Sequence, residues 1–152
     1  MVLHPRQIPD GSAVASGHRL AGHTADVIVE AWGATREECI EHAVLGLIES
    51  FVELSDPVSA THTHDVELTP VDESELLIAA LDEVIYVVDT TGDVAVRASV
   101  HDRPGRKVRV RYDTVPLEAV RVIGPAPKAV TRHALHFGPD DHGWRCSVVI
   151  DI

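Results

Sequence analysis

Thr35 is followed three residues later by Glu38, and Asp72 by Glu75, so the chain carries two capping boxes, each opening a stretch of helical apolar period. In such a box the cap oxygen accepts from an orphan backbone N–H, and the glutamate reaches back toward the cap. Behind Thr35, the residues Ile40, Ala43, Val44, Leu47, Ile48 and Phe51 recur at steps of three and four, which gathers them on one face and leaves Glu41, His42 and Glu49 largely off it. Leu77, Ala80, Leu81, Val84, Ile85 and Val88 form the same kind of stripe behind Asp72. The spacing predicts one helix ending before Asp56-Pro57 and a second giving way at Thr91-Gly92. Two one-sided helices need a shared apolar surface, and the rest of the chain supplies it as strands.

Gly17–Trp32 reads as strand, turn and strand around Gly22–Asp26, with the β-branched run Val27-Ile28-Val29 in the second. Val58–Leu68 alternates well enough for a strand closed by Thr69-Pro70, and Val94–Val100 and Lys107–Tyr112 flank the turn-rich Asp102–Gly105. Leu117–Ile123 is ambiguous and Gly124–Pro127 is a break. Ala129–Phe137 and Gly143–Ile152, separated by residues 138–142, form a terminal antiparallel hairpin. Helices and strands that do not alternate one for one imply an α+β fold, with two helices packed on a mostly antiparallel sheet.

With 152 residues, 45% of them hydrophobic, one core can form without metal or disulfide staples. Residues 1–16 lack periodicity and read as a flexible lead-in, which leaves 17–152 as a single domain. The balance of 24 acidic against 13 basic residues gives −11, which disfavours a free-standing nucleic-acid binder and assigns any such role to a partner. No apolar run of about 18 residues and no signal-peptide core is present, so a soluble, cytoplasmic protein is expected. Cys39 and Cys146 lack metal or redox spacing and read as buried thiols.

Chemistry-bearing residues are few. His62 and His64 share a strand face, but with no visible third or fourth ligand a solvated face is the better explanation. His133 and His136, three apart on a strand, point to opposite faces. Phosphate-binding glycine loops and the common hydrolase signatures are missing. Asp26 opens a β-branched run and Asp151 interrupts another just before Ile152; a carboxylate there is costly to desolvate unless paired or metal-bound. As isolated features they are better explained as surface aspartates at strand ends, although the crowding of Asp151 against the terminal carboxylate favours a hard divalent cation as neighbour. A hairpin turning within 138–142 brings Lys128 opposite Ile152, where its charge could neutralise that end, or where it could equally stand as a plain surface lysine at a strand start.

Taken together, His23-Thr24-Ala25-Asp26, Ala31-Trp32-Gly33, Lys128-Ala129-Val130-Thr131 and Val149-Ile150-Asp151-Ile152 resemble the archease family, over about Gly17 to Ile152. The resemblance implies a non-enzymatic activator of an RtcB-type RNA ligase, one that promotes guanylylation of the ligase and repeated turnover in tRNA splicing or RNA repair. RNA would be reached only indirectly through the ligase, with no membrane involved. It also implies a divalent metal, calcium in the family, held at Asp26, Asp151 and the main chain of Ile152. Arg132 stands where the family commonly has Tyr, and Ala80-Leu81-Asp82 where it has Trp-Leu-Asn. The competing readings are a metal-dependent hydrolase using Asp26 and Asp151 with His23 as base, and a chaperone-like binding module.

Overall fold

The structure, a computed structural model, describes residues 15–23, 26–54 and 58–152. The expected lead-in falls almost wholly outside them, as do Thr24-Ala25 and Asp56-Pro57. The elements follow in the order β1 (Gly17–His23), β2 (Asp26–Gly33), α1 (Arg36–Glu49), β3 (His62–Leu68), α2 (Glu73–Thr91), β4 (Asp93–Arg103), β5 (Lys107–Pro116), β6 (Ala129–Asp140) and β7 (Gly143–Asp151). The class is α+β, as the patterning implies, but the strands divide into two antiparallel sheets rather than one, β1-β2-β7-β6 and β3-β5-β4. Both helices serve both sheets: α1 lies on β2 and β4, and α2 on β6 and β4.

Both helices are capped where the boxes place them, although neither box closes reciprocally; Glu75 is taken by Arg132. Thr35 Oγ1 accepts from the Glu38 N–H (3.1 Å), and Glu38 reaches back one residue beyond the cap, to the Ala34 N–H (3.0 Å). Asp72 Oδ1 accepts from the Glu75 N–H (2.9 Å). Acidic residues fill both first turns, where they complement the helix dipole. Helix α2 stops at Gly92, whose φ of 76° suits a residue without Cβ and whose N–H closes onto the Val88 carbonyl. Every member of the α1 stripe is buried. Tyr112 fastens the three-stranded sheet to α2 through its hydroxyl, which donates to the Ala80 carbonyl (2.6 Å) inside the core. Burial drives that phenol well above its ordinary pKa, so it remains a donor. On the other side, Glu41 of α1 accepts from the Val100 N–H (2.8 Å) and so covers part of the β4 edge.

Several boundaries differ from the sequence reading. Strand β3 begins at His62 rather than Val58, because the Val58 carbonyl is taken by Arg97 (3.2 Å) and is not part of the ladder. Strands β4 and β5 run on to Arg103 and Pro116, since their mutual pairing persists beyond the apolar alternation. Leu117–Ala119 is one turn of 3-10 helix, after which Val122 bridges to Val52. The terminal hairpin turns on Asp141 and His142 alone, where Asp140 Oδ1 accepts from the His142 N–H (2.8 Å).

That tight turn would misalign the strand ends but for a bulge. From Thr131 to His136, β6 advances five residues while β7 advances two, from Val149 to Ser147, so three residues of β6 have no counterpart. Within the bulge Ala134 takes φ 56°, and Arg132 reaches across to Glu75 of α2 (2.7 Å). The offset sets Ala129 opposite Asp151, and the Lys128 N–H donates to the Asp151 carbonyl (2.7 Å). Without it, the register of the turn would carry Ala129 three positions past Asp151.

Candidate functional site

The four-stranded sheet buries one face. Val27, Val29 and Ala31 of β2, with Cys146, Val148 and Ile150 of β7, point into the core, and the alternate residues point away. Asp26 and Asp151 belong to the outward set. They are direct register partners across β2 and β7, and the row continues to His23 on β1 and Ala129 on β6. Cβ atoms of directly opposed antiparallel residues lie about 4.5–5.5 Å apart, a separation at which two carboxylates repel. Asp26 is half-buried, Asp151 exposed, and Ile152 half-buried against the edge of the core.

One row inward on the same face, Thr131 pairs with Val149 and buries its hydroxyl oxygen with no hydrogen-bond partner among the described residues. The two carboxylates are oxygen donors, the kind a hard divalent ion prefers, and the orphaned Thr131 hydroxyl stands two residues along β6 from the position opposite Asp151. Among the described residues no three His, Cys, Asp or Glu side chains converge to hold an ion, so the two aspartates and the main chain of Ile152 would supply only part of a calcium shell of six to eight oxygens. Lys128 stands at this chain end, as the hairpin reading places it, but the contact made there is its backbone N–H on the Asp151 carbonyl.

The other candidates are used elsewhere. His62 lies 3.3 Å from Asp93 and His64 is 2.7 Å from Glu83, so a plain solvated face is not what the pair forms: each imidazole meets a separate carboxylate. His133 and His136 are both exposed, and the bulge between their flanking pairs removes the strand parity on which opposite faces depended. Cys39 and Cys146 are buried free thiols. The neighbouring Cys146 thiol and burial push Cys39 far above its ordinary pKa, which leaves it protonated and unreactive.

Two helices between two antiparallel sheets, with paired aspartates at the β2–β7 margin, define a small α+β protein whose distinctive polar feature lies on a sheet face rather than in a cleft. Residues 18–152 match the model of the Archease protein family, and the chain belongs to that family. The "Probable protein archease" of Mycobacterium tuberculosis is 43% identical over 138 residues, covering 91% of this chain and 76% of its own. The "Protein archease" of Archaeoglobus fulgidus is 30% identical, covering 89% and 98%. In fold the chain is similar to a solution structure of a Methanobacterium thermoautotrophicum protein (TM-score 0.66, 24% identity, covering 90% and 99%). It is also similar to a Thermotoga maritima crystal structure described as an archease, possible chaperone (TM-score 0.62, 22% identity, covering 99% and 100%). A non-enzymatic protein agrees with these designations. Among the described residues, no helix is long and apolar enough to cross a membrane.

Proposed function

We propose that this archease-family chain is a non-enzymatic activator of an RtcB-type RNA ligase, promoting guanylylation of the ligase and its repeated turnover in tRNA splicing or RNA repair. The observation that supports this most is the register pair Asp26↔Asp151, which sets on one outward face the two carboxylates that the family resemblance marks as its metal site. Asp26, Asp151 and the main chain of Ile152 would hold a divalent cation, calcium by that resemblance. When bound, such an ion offsets the repulsion between the carboxylates and keeps coordination positions open to water or a partner's oxygen. The chain's own part is positional: the β2–β7 ladder fixes Asp26 against Asp151, and the Lys128 N–H holds the Asp151 carbonyl. On this reading RNA is reached indirectly, through the ligase, in the cytoplasm.

The test adds purified chain, at about one-tenth of the ligase concentration, to an RtcB-type ligase joining 3′-phosphate and 5′-hydroxyl RNA ends. Multiple turnovers are expected with the chain and few without, and no joining or cleavage by the chain alone. RNA processing by the chain in the absence of ligase, abolished by Asp26→Ala, would replace this reading with that of a metal-dependent hydrolase.

A further inference from the structure

Residues 97–111 hold six of the chain's 13 basic residues, Arg97, Arg103, Arg106, Lys107, Arg109 and Arg111, and one acid, Asp102; the remainder of the chain carries −16. The fold places this segment on the β4–β5 hairpin, at whose outer face Val108, Val110 and Tyr112 turn inward while Lys107, Arg109 and Arg111 are exposed. The register opposes Arg103 to Lys107, His101 to Arg109 and Ser99 to Arg111. Arg103 and Lys107 are like charges directly across an antiparallel pair, an arrangement that opposes folding. On the β3 side, Asp65 meets Arg109 and Glu67 meets Lys107, both at 3.4 Å, and Arg36 takes Asp102 at 3.3 Å. Arg103, Arg106 and Arg111 form no ion pair among the described residues. Arg106 also sits at φ 60°, a backbone state that favours glycine, so the hairpin tip carries a guanidinium at a conformational cost.

We infer that this outward face of the β4–β5 hairpin docks the phosphodiester backbone of RNA. Guanidinium groups with open donors match phosphate oxygens, and Ser99 and His101 add hydrogen-bonding groups of the kind that contact backbone. On the strands from Arg97 to Asp113 the outward positions hold no aliphatic side chain and no Phe, Tyr or Trp; the exposed apolar residues nearby are Pro104 in the turn and Val71, which lines one pocket with Arg103 and Arg106. A protein partner would have only the small Pro104 and Val71 side chains at the hairpin tip in place of a large aromatic anchor, and bases no Phe, Tyr or Trp to stack on, whereas a backbone needs only clustered cations. Recognition is therefore indifferent to sequence. It is weak at physiological salt, because the rest of the molecule repels phosphate within a Debye length of about 8 Å. The choice of RNA over DNA rests on the ligase reading above; the cationic face does not.

The test measures fluorescence anisotropy of a labelled RNA hairpin with the full chain alone, so its failure would leave ligase activation untouched. Three variants are compared: wild type, Arg103→Ser/Arg106→Gly/Arg111→Ser, and a charge-matched control, Arg121→Ser/Arg132→Ser/Arg145→Ser, each first shown to be folded by circular dichroism. Wild type and control should bind at 50 mM salt and weaken about 20-fold by 150 mM, the dependence of about three phosphate contacts. The hairpin triple should bind at least about tenfold more weakly at 50 mM and show a flatter salt dependence. Equal binding by the two triples, or no saturable RNA binding at 50 mM, would overturn the assignment. So would tighter capture of a DNA hairpin of the same sequence, or binding of a polyglutamate peptide in preference to RNA, which would make the face a site for an acidic protein.

Discussion

Gly33 sits where β2 hands over to α1, and a Cβ there would fall 2.7 Å from the Cys39 backbone nitrogen and 2.8 Å from Glu38 Cβ. The obstacle is helix backbone, which has nowhere to go. Gly33→Ala should therefore cost about 1–3 kcal/mol and lower the melting temperature by roughly 3–10 °C, measured by calorimetry. Arg106 gives the opposite expectation. Relief of its left-handed backbone, worth about 1–2 kcal/mol, outweighs the extra freedom that glycine gives the unfolded chain, about 0.5–1 kcal/mol. Arg106→Gly should thus raise the urea midpoint slightly. Glu41 adds a pH dependence: burial, against the pull of the Val100 N–H and with help from Glu38, raises its pKa above the ordinary 4.5. The native state then holds that proton to higher pH than the unfolded state does. Stability linked to this group is greatest below 4.5 and falls as pH rises through the raised native value, so Glu41→Gln should gain on wild type over that interval. A stability difference that is flat with pH would remove Glu41 from the account.

Elements were legible where their causes are local. The caps at Thr35 and Asp72 and the stripes behind them depend on neighbours three or four residues away, and they appear as read. The division into two sheets and the three-residue bulge in β6 depend on pairing between distant segments, which no local pattern carries. The candidate site shares that limit: Asp26 and Asp151 each stood out beside a β-branched run, but their opposition is a property of the β2–β7 register. Motif resemblance links them in the sequence, and topology brings them together in the molecule. The pairing predicts a linkage. Saturating calcium, at a hundredfold excess over its dissociation constant, should stabilise wild type by about 2.7 kcal/mol, or roughly 5–10 °C, and Asp151→Asn should lose most of that shift. Identical calcium shifts in the two proteins would exclude the Asp26–Asp151 row as the site.

At the scale of the whole molecule, the two proposed sites divide by sheet. One outward face carries the opposed aspartates of β2 and β7, the other the basic ladder of β4 and β5, and the helices fill the space between. A net charge of −11 was legible from composition, but its concentration into an acidic remainder and a basic hairpin takes meaning only when alternation exposes Lys107, Arg109 and Arg111 together. The proposed role of the aspartate row is action on a ligase, and formation of the covalent ligase–GMP adduct reports it. With labelled GTP and substoichiometric chain, wild type should accelerate adduct formation, and Asp151→Asn, folded to the same melting temperature without calcium, should lose at least about 90% of that acceleration. Undiminished acceleration by Asp151→Asn, or none by wild type, would contradict the account.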